Sequence, residues 1–236
     1  MSQGWTESAA AWIADMGEHG DFTRQCVTDR PVLQRIEGRG HRKALDVGCG
    51  EGRFCRMLQE RGISAIGLDP TEAMLAEARR RDPAGDYRQG YAEALPFADG
   101  TFDLVVSYLS LIDITDATAA IREMARVLEP GGSLIIVNLN GFATAGHWDD
   151  PPAKTRFVIR DYLDDRAEWV AWRGIRIRNW HRPLSRYMKA LIEAGLILRH
   201  FDEPDATSGP ADRRARYHSM PYCHIMEWEK PAERAA

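Results

Sequence analysis

Short apolar runs of strand length alternate with stretches of helical spacing over the first 140 residues of this chain. The predicted strands are 43–47, 63–68, 86–90, 102–106 and 132–138, and the predicted helices are 52–61, 71–81 and 116–128. Strands that alternate with helices imply a mainly parallel sheet covered by helices on both faces, with right-handed crossovers. The pattern therefore predicts a doubly wound α/β fold.

The flanking segments add helices at the start and strands near the end. Apolar residues at helical spacing predict an amphipathic helix over 5–20 and a second helix near 31–38. An amphipathic stretch at 183–195 ends in a glycine, and apolar runs at 196–204 and 224–231 read as two more strands. Residues 205–222, rich in Asp, Pro, Gly, Arg and Ser, are predicted to form a loop near the mouth of a substrate site.

Residues 142–182 interrupt the alternation and contain four of the seven tryptophans. Within them Ile175, Ile177 and Asn179 share one face of an extended segment, while Arg176 and Arg178 share the other, which predicts an antiparallel hairpin. An insertion of this length is typical of a lid or a binding element rather than of a plain connection.

Composition narrows the class of protein. The 236 residues fit one domain, 1–236, and the net charge of −4 is typical neither of a nucleic-acid-binding chain nor of a basic membrane-surface protein. No apolar run reaches the ~18 residues of a membrane span, and the start lacks the features of a signal peptide. The four cysteines show no C-x-x-C spacing, and no metal-ligand cluster is evident, so we expect a cytoplasmic protein without a bound metal.

The most informative segment joins the first predicted strand to the first predicted helix. The string LDVGCGEG at 45–52 puts three glycines within five positions after Asp46. Such a turn lets backbone N–H groups approach a nucleotide-type ligand closely. The spacing G-x-G-x-G, with Arg53 after it, departs from the dinucleotide fingerprint, and no phosphate loop of the G-x-x-x-x-G-K-[ST] type is present. Asp46 would repel a pyrophosphate but suits a ligand with an ammonium group, and Asp69 after the second strand suits ribose hydroxyls.

Together with GYAEALPF at 90–97, FDLVVS at 102–107 and EMARVLEPGG at 123–132, this turn resembles the class I S-adenosylmethionine-dependent methyltransferases, in particular the type 11-like small-molecule enzymes. The resemblance implies a Rossmann-like seven-stranded sheet whose last strand is antiparallel. It also implies S-adenosyl-L-methionine as cofactor and S-adenosyl-L-homocysteine as product. In this family a helical segment at the amino terminus, here 1–38, caps the site, and an insertion after the fifth strand, here 142–182, covers the substrate.

The resemblance also assigns roles to single residues. Those expected to bind the cofactor are Arg24, Asp46, Gly48, Cys49, Gly50, Gly52, Arg53, Asp69, Pro70, Met74, Ala92, Glu93, Ser107 and Tyr108. Those expected in the substrate pocket are Asp113, Trp148, Trp180 and Tyr217.

For catalysis we expect a histidine, because an imidazole exchanges protons near neutral pH. His181 is the first candidate and His147 the second. A histidine base favours methyl transfer to a hydroxyl oxygen of a small molecule, while N-, C- or carboxyl methylation stays open. A non-catalytic cofactor-binding scaffold and an NAD-dependent oxidoreductase are the alternatives from other classes, and the sequence does not specify the oligomeric state.

Overall fold

The computed structural model describes residues 3–149 and 156–232. The strands are β1 (Lys43–Val47), β2 (Ser64–Asp69), β3 (Asp86–Gln89), β4 (Phe102–Tyr108), β5 (Leu128–Leu139), β6 (Gly146–Trp148), β7 (Phe157–Ile159), β8 (Arg166–Trp172), β9 (Ile175–His181), β10 (Ile197–Asp202) and β11 (Cys223–Glu229). The helices are α1 (Trp5–Met16), α2 (Asp29–Ile36), α3 (Arg53–Gln59), α4 (Glu72–Arg81), α5 (Ala117–Val127), α6 (Gly141–Ala145), α7 (Leu184–Glu193) and α8 (Ala211–Ser219), with a π-helical turn at Arg24–Thr28.

Seven strands form one sheet in the order β3-β2-β1-β4-β5-β11-β10. The first five run parallel, and β11 is inserted antiparallel between β5 and β10. The doubly wound fold with an antiparallel last strand is thereby confirmed. The chain reverses its winding direction between β1 and β4, and in such sheets ligands bind outside the carboxyl ends of the strands at that point.

The core lies on both faces of the sheet. Leu104, Val105 and Val106 of β4 are fully buried, because a central parallel strand is covered by helices on each side. One face packs against α5 and α7, and the other packs against α2, α3 and α4. Helix α5 begins after Asp116, whose carboxylate accepts a hydrogen bond from the Ala119 N–H, as expected for an N-cap.

Three segments differ from the sequence prediction. Strand β5 begins at Leu128, which pairs with Phe102 before the register shifts, so the Pro-Gly-Gly segment at 130–132 is an irregularity within the strand and not a turn before it. The predicted loop 205–222 contains α8, which buries no residue and therefore carries no apolar stripe that a sequence could show. The helix predicted over 5–20 ends at Met16, because Gly17 takes a positive φ of 57°.

The segment 142–182 forms α6 and two hairpins, of which β8–β9 matches the predicted one. Residues 150–155 of this segment, and residues 1–2 of the predicted cap 1–38, lie outside the described residues. Strand β9 packs against α1, so the two parts of the chain that flank the sheet meet each other. Within the described ranges, no helix is long and apolar enough to cross a membrane.

Candidate active site

The glycine turn after β1 is shaped by two tight approaches. The Gly48 N–H donates to the Leu68 carbonyl at 2.7 Å, which ties the turn to the end of β2. Gly48 has a φ of +77°, and a Cβ built there would lie 2.4 Å from the Cβ of Ser110. Gly50 also has a positive φ, but a Cβ there would meet nothing within 4 Å, so the turn faces open space at this position. Glycine at 48 is therefore required both by backbone conformation and by close packing.

Asp69 at the end of β2 holds the turn from the other side. Its Oδ2 accepts a hydrogen bond from the Gly50 N–H at 3.0 Å, and its Oδ1 accepts one from the Thr71 N–H at 2.8 Å. Burial raises the pKa of this carboxyl, and the two backbone hydrogen bonds oppose that rise. Asp69 thus connects the carboxyl ends of neighbouring strands at the switch point of the sheet.

Asp46 in β1 is a buried carboxyl with an unused acceptor. The side chain is 1% exposed, and its Oδ2 accepts a weak hydrogen bond from the Cys55 thiol at 3.5 Å. Its Oδ1 has no hydrogen-bond partner among the described residues. Burial raises the pKa of Asp46 to about 7. Since buried polar atoms are almost always paired in native proteins, this oxygen points to a missing hydrogen-bond donor.

These groups line a cavity of about 560 Å³ at the carboxyl edge of the sheet. Its floor comes from the ends of β1, β2 and β4, and its roof comes from α1 and the π-helical turn. In the roof Trp5 and Trp12 meet edge to face, with ring centroids 4.9 Å apart. The guanidinium of Arg24 lies 5.2 Å from the Trp12 ring centroid and pairs with Asp21 at 3.3 Å. The volume is that of a site for a cofactor or a small ligand.

The lining of the cavity includes a further carboxyl, which comes from the segment after β4. Asp113 follows β4, and its Oδ1 accepts a hydrogen bond from the Nδ2 of Asn179 in β9. Burial raises the pKa of Asp113 to about 8, although the bond from Asn179 works in the opposite direction. Asp113 thus lines the same cavity as Asp46 and Asp69.

Comparison with known proteins identifies this arrangement. A family profile described as a methyltransferase domain matches residues 45–136, which include β1 to β5 and the glycine turn. A crystal structure of an S-adenosylmethionine-dependent methyltransferase from Mesorhizobium loti superposes with a TM-score of 0.75 at 27% identity, and covers 90% of this chain and 100% of that one. Residues 45–136 match a methyltransferase domain, and the fold is that of the class I S-adenosylmethionine-dependent methyltransferases.

Two curated relatives match part of this chain. A malonyl-[acyl-carrier protein] O-methyltransferase from Enterobacter lignolyticus is 33% identical over 153 residues, which is 62% of this chain. A demethylmenaquinone methyltransferase from Beutenbergia cavernae is 34% identical over 142 residues, which is 60% of this chain. The aligned region spans 60% and 58% of the length of these two relatives. A structure from Listeria monocytogenes, with a TM-score of 0.76 at 21% identity, shares the fold.

The cavity fits S-adenosylmethionine, the cofactor of class I methyltransferases. S-adenosylmethionine carries an ammonium group and a sulfonium, and Asp46 offers a buried oxygen without a partner. The open space beside Gly50 lets a ligand approach the backbone of the turn closely. The acidic groups at the cavity and the absence of a third fingerprint glycine both favour this cation over a dinucleotide.

The structure brings most of the predicted cofactor residues to the cavity. Those that line it are Arg24, Asp46, Gly48, Cys49, Gly50, Arg53, Asp69, Pro70, Met74, Ala92, Glu93 and Tyr108. Gly52 and Ser107 do not. Gly52 precedes α3 and packs against Tyr87, and the fully buried Ser107 hydroxyl lies 2.9 Å from the Ser110 hydroxyl.

Neither predicted base lies in the cavity, and this requires a correction. His181 is 2% exposed, its Nε2 donates to the Tyr162 carbonyl at 2.9 Å, and its Nδ1 lies 2.6 Å from the Thr144 hydroxyl. Both ring nitrogens are thus engaged within the fold, and burial lowers the pKa of His181. His147 is exposed in β6, opposite Val158. We therefore withdraw both histidines as candidate bases.

Three of the four predicted substrate residues also lie elsewhere. Trp148 packs edge to face on Phe157 in the β6–β7 hairpin. Trp180 lines a separate cleft of about 280 Å³, together with Asp165 and Arg182. The Tyr217 hydroxyl lies 2.6 Å from the Thr23 hydroxyl, behind the roof. Asp113 alone of the four lines the cavity.

Several cavity residues were given no role from the sequence. They are Trp5 and Trp12 of the roof, Thr71 after β2, and Ser110 beside the glycine turn. Trp5 and Trp12 stood out only as apolar positions of an amphipathic helix, a pattern that does not show which neighbour the helix covers. Thr71 and Ser110 each follow the carboxyl end of a parallel strand, and this position was a usable signal.

Proposed function

We propose that this chain transfers a methyl group from S-adenosylmethionine to a hydroxyl oxygen of a small molecule. The observation that carries the proposal is that one cavity is lined by Asp46, Asp69 and the glycine turn and also by Asp113 and the Trp5–Trp12 roof. The glycine turn with its carboxylates suits a nucleoside-type cation, and we assign the space beside Asp113 to the acceptor. The relative from Enterobacter lignolyticus, whose name specifies an O-methyltransferase, supports oxygen as the receiving atom.

In this proposal the cofactor is held by charge at one end and by shape at the other. Asp46 accepts the hydrogen bond of the ammonium group, which supplies the partner that its Oδ1 lacks. Asp69 binds the ribose hydroxyls while it keeps its bonds to the turn. Met74 and Ala92, both buried at the cavity edge, contact the adenine. Arg24, paired only on one side by Asp21, meets the carboxylate of the amino-acid part.

When bound, S-adenosylmethionine supplies a methyl group on a sulfonium, and the electrons of its carbon–sulfur bond remain on sulfur as the methyl leaves. The protein therefore has to orient the acceptor and exclude water. The roof serves both purposes, because its tryptophans cover the cavity with rigid apolar surface. A chain of this kind needs no further cofactor for the transfer.

In this proposal residues 1–236 form one methyltransferase domain, within which two segments have separate roles. Residues 1–38 act as the cap of the cavity, and residues 142–182 act as the cover of the acceptor. Two hydrogen bonds between these segments support this: the Arg178 N–H donates to the Gln3 carbonyl at 2.9 Å, and the Ser8 hydroxyl donates to the Arg176 carbonyl at 3.0 Å. These two contacts hold the amino-terminal segment against β9, as the proposed roles require.

Calorimetric titration with S-adenosylmethionine, S-adenosylhomocysteine and NADH tests the cofactor part of the proposal. We expect both adenosyl ligands to bind and NADH not to bind. The variant Asp69→Ala should lose at least tenfold in affinity, while the exposed Asp99→Asn should bind as wild type. Binding of NADH alone would overturn the proposal in favour of an oxidoreductase, and binding of the adenosyl ligands without transfer to any alcohol, amine, thiol or carboxylate would favour a scaffold.

A further inference from the structure

Asp113 has one oxygen that is fixed and one that is free. Its backbone N–H donates to the Ser110 carbonyl at 2.9 Å, which places the side chain just beyond the end of β4. Its Oδ1 accepts the hydrogen bond from Asn179. In the part of the chain that the structure describes, Oδ2 has no hydrogen-bond partner, yet it is not sealed off, since the residue lines the cavity and keeps partial exposure. One carboxyl oxygen therefore faces the space left for the acceptor.

The surroundings of Asp113 bring the pKa of its carboxyl close to neutral pH. The charged groups that line the same cavity come from β1, β2, the segments after them, and the roof: Arg24, Asp46, Glu51, Arg53, Asp69, Glu93 and Arg178. Burial raises the pKa of Asp113 to about 8, and the charge of Asp69 adds to this rise, while the hydrogen bond from Asn179 and the charge of Arg24 oppose it. A cation bound in the cavity would favour the ionised form and lower this pKa. The carboxyl can thus release and take up a proton near neutral pH.

No other group of the described chain fits this position as well. Asp46 and Asp69 lie at the glycine turn, where both are engaged with backbone or a thiol. The described residues that line the cavity include no histidine. The Tyr108 hydroxyl also reaches the cavity, but it donates to Asp29 at 2.6 Å, and burial raises its pKa.

We propose that Asp113 accepts, at Oδ2, the proton of the acceptor's hydroxyl as that oxygen is methylated, an inference that rests on the function proposed above. The acceptor oxygen keeps the electron pair of its broken O–H bond and uses an electron pair to bind the methyl carbon, and the proton ends on the Asp113 carboxylate. The edge-to-face tryptophans of the roof suit a planar acceptor, since aromatic rings present apolar surface with little loss of side-chain entropy.

Asn179 is the positioning residue of this arrangement. It lies in β9, within the segment proposed to cover the acceptor, and its Nδ2 fixes Oδ1 so that Oδ2 faces inward. A base held in this way is in place only while β9 is packed against the cavity wall. Proton transfer is thereby restricted to the covered site.

The experiment uses the full chain, methyl-labelled S-adenosylmethionine, and phenol, 2-naphthol and benzyl alcohol as hydroxyl probes, with benzylamine and thiophenol as amine and thiol probes. We expect transfer to at least one hydroxyl probe. Asp113→Asn should lower that rate by about 10²-fold or more while calorimetry shows unchanged binding of S-adenosylmethionine. Asn179→Ala should lower the rate less, and Asp99→Asn should not lower it. Circular dichroism checks that each variant is folded.

The pH profile separates a base from a structural role. With phenol, which ionises near pH 10 like a tyrosine side chain, Asp113→Asn should gain rate steadily up to about pH 10, because the acceptor then loses its proton unaided. The wild-type rate should level off near the lower pKa of the base. Parallel profiles would overturn the inference, and so would unchanged transfer in Asp113→Asn or a loss of cofactor affinity like that of Asp69→Ala. Transfer to amine or thiol probes alone would overturn the hydroxyl assignment but leave the methyltransferase function standing, whereas failure to bind S-adenosylmethionine would overturn that function itself.

Discussion

Asp46→Asn is expected to stabilise the free protein at neutral pH and to weaken cofactor binding. The carboxyl is 1% exposed, one of its oxygens has no partner, and the other receives only a thiol hydrogen bond. Its pKa rises from 3.8 to about 7 because burial disfavours the charged form. Asparagine has nearly the same shape and carries no charge, so it removes this unfavourable ionisation.

The size of the effect follows from proton linkage. In the unfolded chain Asp46 ionises near pH 3.8, whereas the folded protein keeps it protonated up to about pH 7. Ionisation of Asp46 therefore lowers the free energy of unfolding. This loss grows from pH 3.8 to about pH 7 and is constant at higher pH. A tenfold change in an ionisation constant is worth about 1.4 kcal/mol, so the full effect is about 4 kcal/mol at pH 8 and about 2 kcal/mol at pH 5.5.

Urea unfolding at pH 5.5 and pH 8 measures the difference. The gain in the free energy of unfolding from Asp46→Asn should be about 2 kcal/mol larger at pH 8 than at pH 5.5. Asp99→Asn, which removes an exposed carboxylate, should show no such difference. Calorimetry at pH 8 should show weaker binding of S-adenosylmethionine by the Asp46 variant. An equal gain at both pH values, or a variant less stable than wild type at pH 8, would refute the reasoning.

Three further variants probe the turn and the withdrawn base. Asp69→Ala removes the acceptor of the Gly50 N–H and should loosen the turn, seen as faster amide hydrogen exchange at that residue together with weaker cofactor binding. Gly48→Ala should destabilise the fold by more than the ~1–2 kcal/mol of a left-handed residue, because its Cβ would also overlap Ser110; urea unfolding measures this. His181→Ala should lower the melting temperature but leave the affinity for S-adenosylmethionine unchanged, and a loss of affinity would show that the imidazole reaches the cavity after all.

The cofactor half of the site was predictable because it depends on local chemistry. Glycines with positive φ, an acidic residue at the end of β1 and another at the end of β2 all lie within 25 residues of one another in the chain. Parallel strands bring their carboxyl ends to one edge, so spacing along the sequence translates directly into proximity. Asp69 and Gly50 show this, since neighbouring strands place them within hydrogen-bond distance.

The acceptor part of the site was harder to predict from the sequence, because it depends on contacts between segments that are distant in the chain. His181 was favoured as a base, although the period-two alternation of β9 places it on the same side as Ile175 and Ile177, which are buried. That pattern already indicated a buried position for the His181 ring. The role of Trp12 could not be read from the sequence, because an amphipathic helix pattern does not name the surface that it covers.

The hydrogen bonds between α1 and β9 have a consequence for the order of folding. Ser8 and Arg176 are separated by 168 positions in the chain, so α1 is made long before its partner. During synthesis the strands from β1 to β5 can pair as they emerge. The apolar rings of Trp5 and Trp12 stay uncovered until the β8–β9 hairpin has been made. A nascent chain released before residue 175 would hold five of the seven strands of the sheet and an exposed aromatic helix. Such a fragment would offer that helix to chaperones, and the ligand cavity would be closed only by the last third of the chain.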